Sequence, residues 1–238
     1  MDVMNIRLDK YLADMGVGTR SAVKDFIRKK RIRVNDALVT NPAFKVDTGR
    51  DEVYFDDDKV NYAEYEYYII NKPAGVICAT TDSHQPTVID LIKSSRKDLF
   101  TVGRLDKDTE GLLIITNDGA LTHNLLAPGK HVDKKYFLRV DGELRASHAD
   151  LIAAGLKVSD DFTARPGKLE ILSPNEAYLT ICEGKFHQVK RMMEALGCTV
   201  TYLKRVQMGG LSLPAELECG MYRALTESEL DILRGNDA

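Results

Sequence analysis

The charge of this 238-residue chain changes sign within its first quarter, and this change constrains how the chain can be divided. Residues 1–35 contain nine Lys or Arg and four Asp or Glu, a local charge of +5, whereas residues 47–66 contain two basic and eight acidic residues, a local charge of −6. Adjacent segments of opposite charge are typical of separate modules joined by a linker. We therefore expect a small basic module at residues 1–60 and a larger body at residues 61–238.

The composition is that of a folded globular protein, with 44% hydrophobic and 29% charged residues. Residues 1–10 lack the apolar stretch of a signal peptide, and the longest apolar runs are far too short to cross a membrane. We therefore expect a soluble, cytoplasmic protein. Its four cysteines include no Cys-x-x-Cys pair, which favours free thiols over a zinc site.

The basic module is predicted to contain two short helices followed by a strand. Apolar residues at helical spacing predict a first helix over Ile6–Met15, and Thr19 is a suitable N-cap for the second. In that second helix Arg20, Lys24 and Arg28 recur every four residues and share one outer face. Basic residues continue into the strand, so this surface could lie along an RNA phosphate backbone, where each contact releases counterions. A solvated helix face without a ligand is the alternative.

The body mixes strands and helices without regular alternation, which predicts an α+β domain with a largely antiparallel sheet. The predicted strands are Tyr67–Asn71, Leu112–Thr116, Lys135–Val140, Lys168–Leu172, Tyr178–Ile181 and Thr199–Arg205. The predicted helices are Val88–Ile92, Gly119–Leu126, Ala146–Ala154 and His187–Leu196.

Three segments of the body carry candidate chemistry. In Thr101–Gly119 (TVGRLDKDTEGLLIITNDG) a loop places Arg104 and Asp106 just before an apolar strand, and a sheet would hold such a carboxylate rigidly. The second segment, LTICEGKFHQVKRMM, puts Lys185 at a strand-to-helix junction, and the third, KKYFLRV, puts Tyr136 in a strand. Taken alone, an Asp in a loop is usually structural or solvated, and a lone Tyr in a strand usually belongs to the core.

Two resemblances combine these segments. The sequence RLDKYLADMGVGTRSAVKDFIRKKRIRVND resembles the alpha-L, or S4-like, RNA-binding domain. The sequences GRLDKDTEGLLIITNDG, KKYFLRV and EGKFHQVKRM, preceded by NKPAGVICAT and QPTVIDLI, resemble in order and spacing the motifs of the RsuA family of pseudouridine synthases. Together the resemblances cover nearly the whole chain.

The RsuA resemblance implies specific roles for four residues. Asp106 resembles the catalytic aspartate, and Arg104 resembles the residue that helps to extrude the uridine. Tyr136 resembles the aromatic residue that packs on the flipped base and assists proton removal. Lys185 resembles the basic residue that pairs with the carboxylate. Small departures include Gln85 in place of a common His, and Phe186 in place of a common Tyr.

The resemblance also implies the partners. The substrate is expected to be 16S ribosomal RNA at the uridine 516-type site, modified without any cofactor or metal by a monomer. The residues expected to contact RNA are Arg104, Arg20, Lys24, Arg28, Lys30, Arg31, His187, Lys190, Arg191, Lys204 and Arg205. A large-subunit enzyme of the same family and a catalytically silent RNA-binding assembly factor are the alternatives.

Overall fold

The computed structural model describes residues 4–94 and 96–235, which divide into two units. The first unit comprises the chain up to Tyr65 together with Lys93–Leu99, and the second comprises Glu66–Ile92 and the chain from Phe100 onward. The chain therefore passes between the units after Tyr65, after Ile92 and after Leu99. The charge pattern does not anticipate the return of Lys93–Leu99 to the first unit.

The first unit is built from two helices and six short strands. Its helices are α1 (Leu8–Asp14) and α2 (Arg20–Arg28). Its strands are β1 (Asn5–Arg7), β2 (Ile32–Val34), β3 (Ala37–Leu38), β4 (Lys45–Asp47), β5 (Val53–Phe55) and β6 (Asp58–Val60). Strands β1 and β4 pair with each other, and the other four form a sheet in the order β3-β2-β5-β6.

Local sequence signals explain most of this unit. The Thr19 side chain accepts a hydrogen bond from the amide of Ala22 and caps α2, as predicted. Tyr11, buried on α1, donates its hydroxyl hydrogen to the carbonyl oxygen of Val60 at 2.6 Å, which joins the first helix to the last strand. Arg96, from the returning segment, is also buried and donates to the carbonyl oxygen of Ala63.

The second unit contains the remaining helices and strands. Its helices are α3 (Gly119–Leu126), α4 (Ala146–Ala154), α5 (Gln188–Ala195) and α6 (Glu227–Arg234). Its strands are β7 (Tyr67–Lys72), β8 (Phe100–Thr101), β9 (Glu110–Thr116), β10 (Lys134–Asp141), β11 (Lys157–Ser159), β12 (Phe162–Thr163), β13 (Lys168–Ser173), β14 (Glu176–Ile181), β15 (Thr199–Met208), β16 (Leu211–Ser212) and β17 (Tyr222–Ala224).

A mixed sheet organises this unit and confirms the predicted fold class. Its main path among the described residues runs β13-β14-β10-β15-β9-β7-β17, with β16 added beside β15 and β8 beside β9. The pairing of β15 with β9 is parallel, and the other pairings in the sheet are antiparallel. Helices α3 and α6 cover one face of the central strands with a core that includes Leu112, Ile114 and Leu230.

Asp118 follows β9 and is the N-cap of α3. Its carboxylate accepts from the amide of Leu121 at 2.9 Å, and its second oxygen accepts from the hydroxyl of Tyr67 at 2.8 Å. The carboxylate satisfies a helix amide that would otherwise lack a partner. Asp118 is therefore a structural cap.

The predicted helix at Val88–Ile92 is wrong in type and length. The segment is a single 3₁₀ turn, Ile89–Leu91. The carboxylate of Asp90 accepts hydrogen bonds from the amide and the hydroxyl of Thr87, which closes one tight turn. Ile92 is then extended, so the apolar residues cannot continue as a helix.

Candidate active site

Asp106 lies in the loop between β8 and β9, which the sheet supports on both sides. Its backbone carbonyl accepts from the amide of Thr109 at 3.1 Å, which closes a turn before β9 begins. Its carboxylate is about a quarter exposed, with 27% of the side chain accessible. The carboxylate is therefore held at a fixed place but remains reachable.

Lys72, at the end of β7, holds this loop through hydrogen bonds to its backbone. Its side chain is fully buried, and its ammonium group donates to the carbonyl oxygens of Pro73, Asp106, Lys107 and Thr109 at distances of 2.8 to 3.3 Å. Burial lowers the pKa of Lys72, and the carbonyl dipoles compensate for the lost water. Sequence reasoning missed this residue, although a lysine ending an apolar strand before proline was a visible signal.

Two basic side chains of the α5 region approach the Asp106 carboxylate. Lys190 Nζ lies 3.5 Å from Oδ2, and His187 Nε2 lies 3.7 Å from Oδ1. Lys190 also binds both carboxylate oxygens of Asp108, at 2.7 and 2.8 Å, and its ammonium holds the pKa of Asp108 below its usual range. Lys190, which was expected to contact RNA phosphate, is thus placed as a bridge between two carboxylates.

Lys185, which was expected to pair with the Asp106 carboxylate, contacts an aromatic ring instead. Its ammonium lies 4.0 Å from the centre of the Phe162 ring on β12, and it forms no ion pair with Asp106 or any other described residue. His187 has a left-handed backbone (φ 49°), so the chain turns sharply between Lys185 and the first residue of α5. This turn brings Lys190, rather than Lys185, to the carboxylate. Lys185 nevertheless lines the same cleft as Asp106.

Tyr136 lies on β10 with its ring buried, only 7% exposed, and lines a small pocket of about 60 Å³ together with Asp106. Its hydroxyl forms no hydrogen bond with any residue that the structure describes. The tyrosine is therefore packed by its ring, while its hydroxyl has no partner among the described residues. Leu203 of β15 and Thr109 complete the inner wall of this pocket.

A larger cleft of about 860 Å³ opens beside the small pocket. We use "the cleft" for the space whose charged and aromatic lining consists of Arg104, Asp106, Lys134, Arg165, Glu183, Lys185, Phe186 and His187. Basic side chains outnumber acidic ones in this lining. The guanidinium of Arg104 is exposed and hydrogen-bonds no described residue, so it can bind a ligand without first breaking a protein contact.

Comparison with known proteins identifies the family. Residues 66–195 match the family of RNA pseudouridylate synthases, and residues 6–53 match the S4 domain. The chain is 42% identical over 234 residues to YtzG, an uncharacterised RNA pseudouridine synthase of Bacillus subtilis, covering 96% of this chain and 98% of the relative. It is 37% identical over 229 residues to ribosomal small subunit pseudouridine synthase A of Escherichia coli K12, covering 94% and 98%. The chain belongs to the RsuA family of pseudouridine synthases.

The fold of the chain also matches that of a solved structure. A crystal structure of a pseudouridylate synthase matches with a TM-score of 0.68 at 35% identity, covering 96% of this chain and 99% of the other. The chain is therefore an isomerase with an N-terminal S4 domain, as the sequence motifs predicted.

Two expected RNA contacts of this pseudouridine synthase lie elsewhere. Arg205 is only 2% exposed, and its Nε donates to the carbonyl oxygen of Leu112 at 2.8 Å within the sheet. Lys204 pairs across strands with Phe137, whereas Arg205 pairs with Tyr136. Because successive residues of a strand face opposite sides, Lys204 lies on the sheet face opposite Tyr136. The expectation that Arg205 contacts RNA is therefore wrong, whereas the contact of Lys204 with RNA stays a prediction.

Arg191 is also engaged within the pseudouridine synthase domain. Its Nη2 donates to the hydroxyl of Ser159 at 3.1 Å, and its guanidinium lies 5.1 Å from the centre of the Phe162 ring. Half-buried in this position, it packs α5 against the short hairpin of β11 and β12.

The five residues of the S4 domain that were expected to contact RNA divide into two groups. Arg31 is used internally, because it pairs with Asp56 and lies over the rings of Phe26 and Phe55. The other four basic residues are exposed or partly exposed. Among the described residues, their one ion pair joins Arg28 to Asp25, three positions earlier. These four are Arg20, Lys24, Arg28 and Lys30.

No group of three His, Cys, Asp or Glu side chains that could hold a metal ion occurs in residues 4–94 and 96–235. The same part of the chain contains no helix of the length and apolarity needed to cross a membrane.

Proposed function

We propose that this enzyme isomerises a uridine of 16S ribosomal RNA, at the uridine 516-type site, to pseudouridine. Relatives named ribosomal small subunit pseudouridine synthase A share 35–37% identity over 94–96% of the chain. The observation that carries the mechanism is the Asp106 carboxylate, which projects from a loop held by Lys72 and is approached by Lys190 and His187 in a basic cleft.

The reaction breaks the bond from ribose C1′ to base N1 and forms a bond from C1′ to C5. N1 gains a proton and C5 loses one, so atoms and electrons balance without an oxidant or reductant. The uracil must leave the base stack to turn over, so the enzyme binds it extruded in a pocket. We place the flipped uridine where the cleft meets the small pocket, beside Asp106 and Tyr136.

Asp106 supplies the ionised carboxylate that acts on the nucleotide. Neighbouring cations stabilise the charged form of a carboxylate against desolvation when RNA closes the site. Lys190 provides such a charge at 3.5 Å, and His187 provides a second when it is protonated. Lys185, in the same cleft and without an ion pair, is available to the carboxylate or to a phosphate once RNA is bound.

Tyr136 acts on the extruded base, and Arg104 acts on the RNA from which the base has been extruded. The Tyr136 ring packs on the extruded uracil, and its hydroxyl, which has no described protein partner, relays the C5 proton to water, releasing its own proton as it takes one up. The exposed Arg104 guanidinium enters the space that the uridine vacates. The inserted guanidinium and the stacked ring offset an unstacking cost of about a few kcal/mol.

The S4 domain supplies RNA contacts outside the site. The basic face of α2, carried by Arg20, Lys24 and Arg28, together with Lys30 just after the helix, is suited to neutralise phosphates, and its contribution would fall as salt rises. We expect the enzyme to act as a monomer in the cytoplasm, without a cofactor.

The proposed function is tested by locating the pseudouridine that the enzyme forms in rRNA. The purified enzyme is incubated with unmodified small- and large-subunit rRNA transcripts, and pseudouridine is located by carbodiimide modification and primer extension. We expect one stop, in small-subunit RNA, that is absent with Asp106→Asn. A stop only in large-subunit RNA would move the target to the other subunit, and no stop with RNA affinity retained would make the chain a binding factor.

A further inference from the structure

Phe186 is an unusually exposed aromatic side chain for its position. Its side chain is 72% exposed although it lines the cleft beside Asp106. Single exposed apolar residues on a protein surface need no explanation. A phenylalanine that lines a basic cleft is different, because its exposed ring adjoins whatever the cleft binds.

The Phe186 ring is stacked on His187. The two ring centres are 3.8 Å apart with an angle of 17° between the planes. On its other side His187 Nε2 lies 3.7 Å from the Asp106 carboxylate. The Asp106 carboxylate is therefore followed by the His187 imidazole and then by the Phe186 ring. The Phe186 ring is the outermost of the three and is largely exposed.

The loop that carries Phe186 is braced. Buried Gln188 accepts from the amide of Lys185 at 2.9 Å and donates to Glu183 at 2.7 Å. His187 adopts a left-handed backbone, which L-residues rarely adopt, although His does so more often than most. Such strain persists where surrounding contacts fix it, commonly at functional sites. The exposed ring is thus held in place before any ligand binds.

We propose that the open face of Phe186 stacks on an unpaired RNA base adjacent to the target uridine. The proposal rests on the proposed function, since it concerns the same cleft. When the uridine is extruded, its neighbour loses a stacking partner, and an aromatic ring can replace it. The cations Arg104, Lys134, Arg165 and Lys185 outnumber the acids Asp106 and Glu183 in the cleft. Stacking rings in a basic groove are the usual arrangement for single-stranded nucleic acid.

The first measurement is affinity. RNA binding is followed by fluorescence anisotropy in an Asp106→Asn background, so that the RNA stays unmodified, using the rRNA fragment that this variant binds most tightly. One stacked base corresponds to about 5- to 150-fold in affinity. We expect Phe186→Ala to weaken binding within that range, and Phe186→Tyr to bind like the parent because it keeps the ring. Leu172→Ala, an exposed apolar residue outside the cleft lining, is the matched control and should change nothing.

The second measurement is a double-mutant cycle between protein and RNA. The same fragment is made with an abasic nucleotide on the 5′ or the 3′ side of the target uridine. At one of the two positions, the loss caused by Phe186→Ala should disappear because the base is already absent. Equal affinities of the parent and Phe186→Ala, or losses that simply add at both positions, would overturn the proposal.

The two proposals can fail separately. Pseudouridine formation by the wild-type enzyme is assayed on the same fragment. Coupling between Phe186 and a neighbouring base without any product would leave the stacking role in place while the proposed reaction fails. Product formation without coupling would support the proposed reaction and overturn the stacking role of Phe186.

Discussion

The ammonium nitrogen of Lys72 lies 3.1 Å from the backbone carbonyl oxygen of Asp106, although 34 residues separate them in sequence. The lysine acts on the backbone of the carboxylate loop rather than on the carboxylate itself. With the further acceptors at Pro73, Lys107 and Thr109, it fixes the turn from which Asp106 projects. A buried positive charge is thus used to shape a loop.

Replacing Lys72 should therefore damage both stability and activity. Lys72→Met leaves buried carbonyl oxygens without their donor, at a cost of about 1–3 kcal/mol in the free energy of unfolding. The loosened loop should lower kcat more than it raises KM. Urea unfolding and steady-state kinetics measure the two effects. Lys107→Met in the same loop removes an exposed lysine and is the control; equal behaviour of the two variants would show that Lys72 does not position the loop.

Replacing Lys185 should affect activity alone. The residue is exposed and forms no ion pair with a described residue, so the thermal midpoint of Lys185→Met should stay within about 2 °C of the wild type. Removing a cation from the site should lower kcat at least about tenfold. Lys168→Met, outside the cleft lining, is the control. Normal turnover by Lys185→Met, combined with loss in Lys190→Met, would assign the carboxylate's partner to Lys190.

Gly111 should not tolerate a side chain. Its φ is +104°, and a Cβ atom would lie 2.2 Å from the carbonyl oxygen of Arg205 on the parallel neighbour β15. Gly111→Ala should lower the free energy of unfolding by about 3 kcal/mol through backbone strain and overpacking. Gly119→Ala, where nothing lies within 4 Å of the new atom, should be neutral or slightly stabilising. Similar urea midpoints for both variants would contradict this explanation.

Glu229 should make α6 sensitive to acid. Hydrogen bonds from Arg223, at 2.7 and 2.8 Å, and from the Thr226 amide lower the pKa of Glu229 to about 2. A lowered folded-state pKa contributes stability that is present above the unfolded-state pKa, about 4.3, and is lost as the pH falls toward 2. Glu229→Gln should therefore lower the free energy of unfolding by about 2 kcal/mol at pH 7, a value reduced for the partial exposure of the carboxylate. The loss should become progressively smaller below about pH 4.5.

Unfolding of wild type and Glu229→Gln by urea between pH 7 and pH 2.5 tests this dependence. Exposed Glu227, at the first position of the same helix, gives the control variant Glu227→Gln. A stability difference for Glu229→Gln that does not change with pH would show that the charge of this carboxylate is not what stabilises the helix end.

Several local features were predictable because they depend on neighbours in sequence. Thr19 caps α2, and the apolar run after Asp106 forms β9, because a hydroxyl before a helix and a buried strand are recognised within a few residues. The same reasoning failed at Val88–Ile92, where Thr87 and Asp90 form the reciprocal hydrogen bonds of a helix start but the backbone becomes extended at Ile92.

The sequence by itself determined the two-domain composition, the largely antiparallel α+β fold and the motif that contains Asp106. Only the tertiary structure decided which cation meets that carboxylate, that Arg205 is buried, and that Lys93–Leu99 joins the first unit. The reason is physical: a motif fixes residue types and spacing, whereas contacts between distant residues depend on strand register and on the left-handed turn at His187.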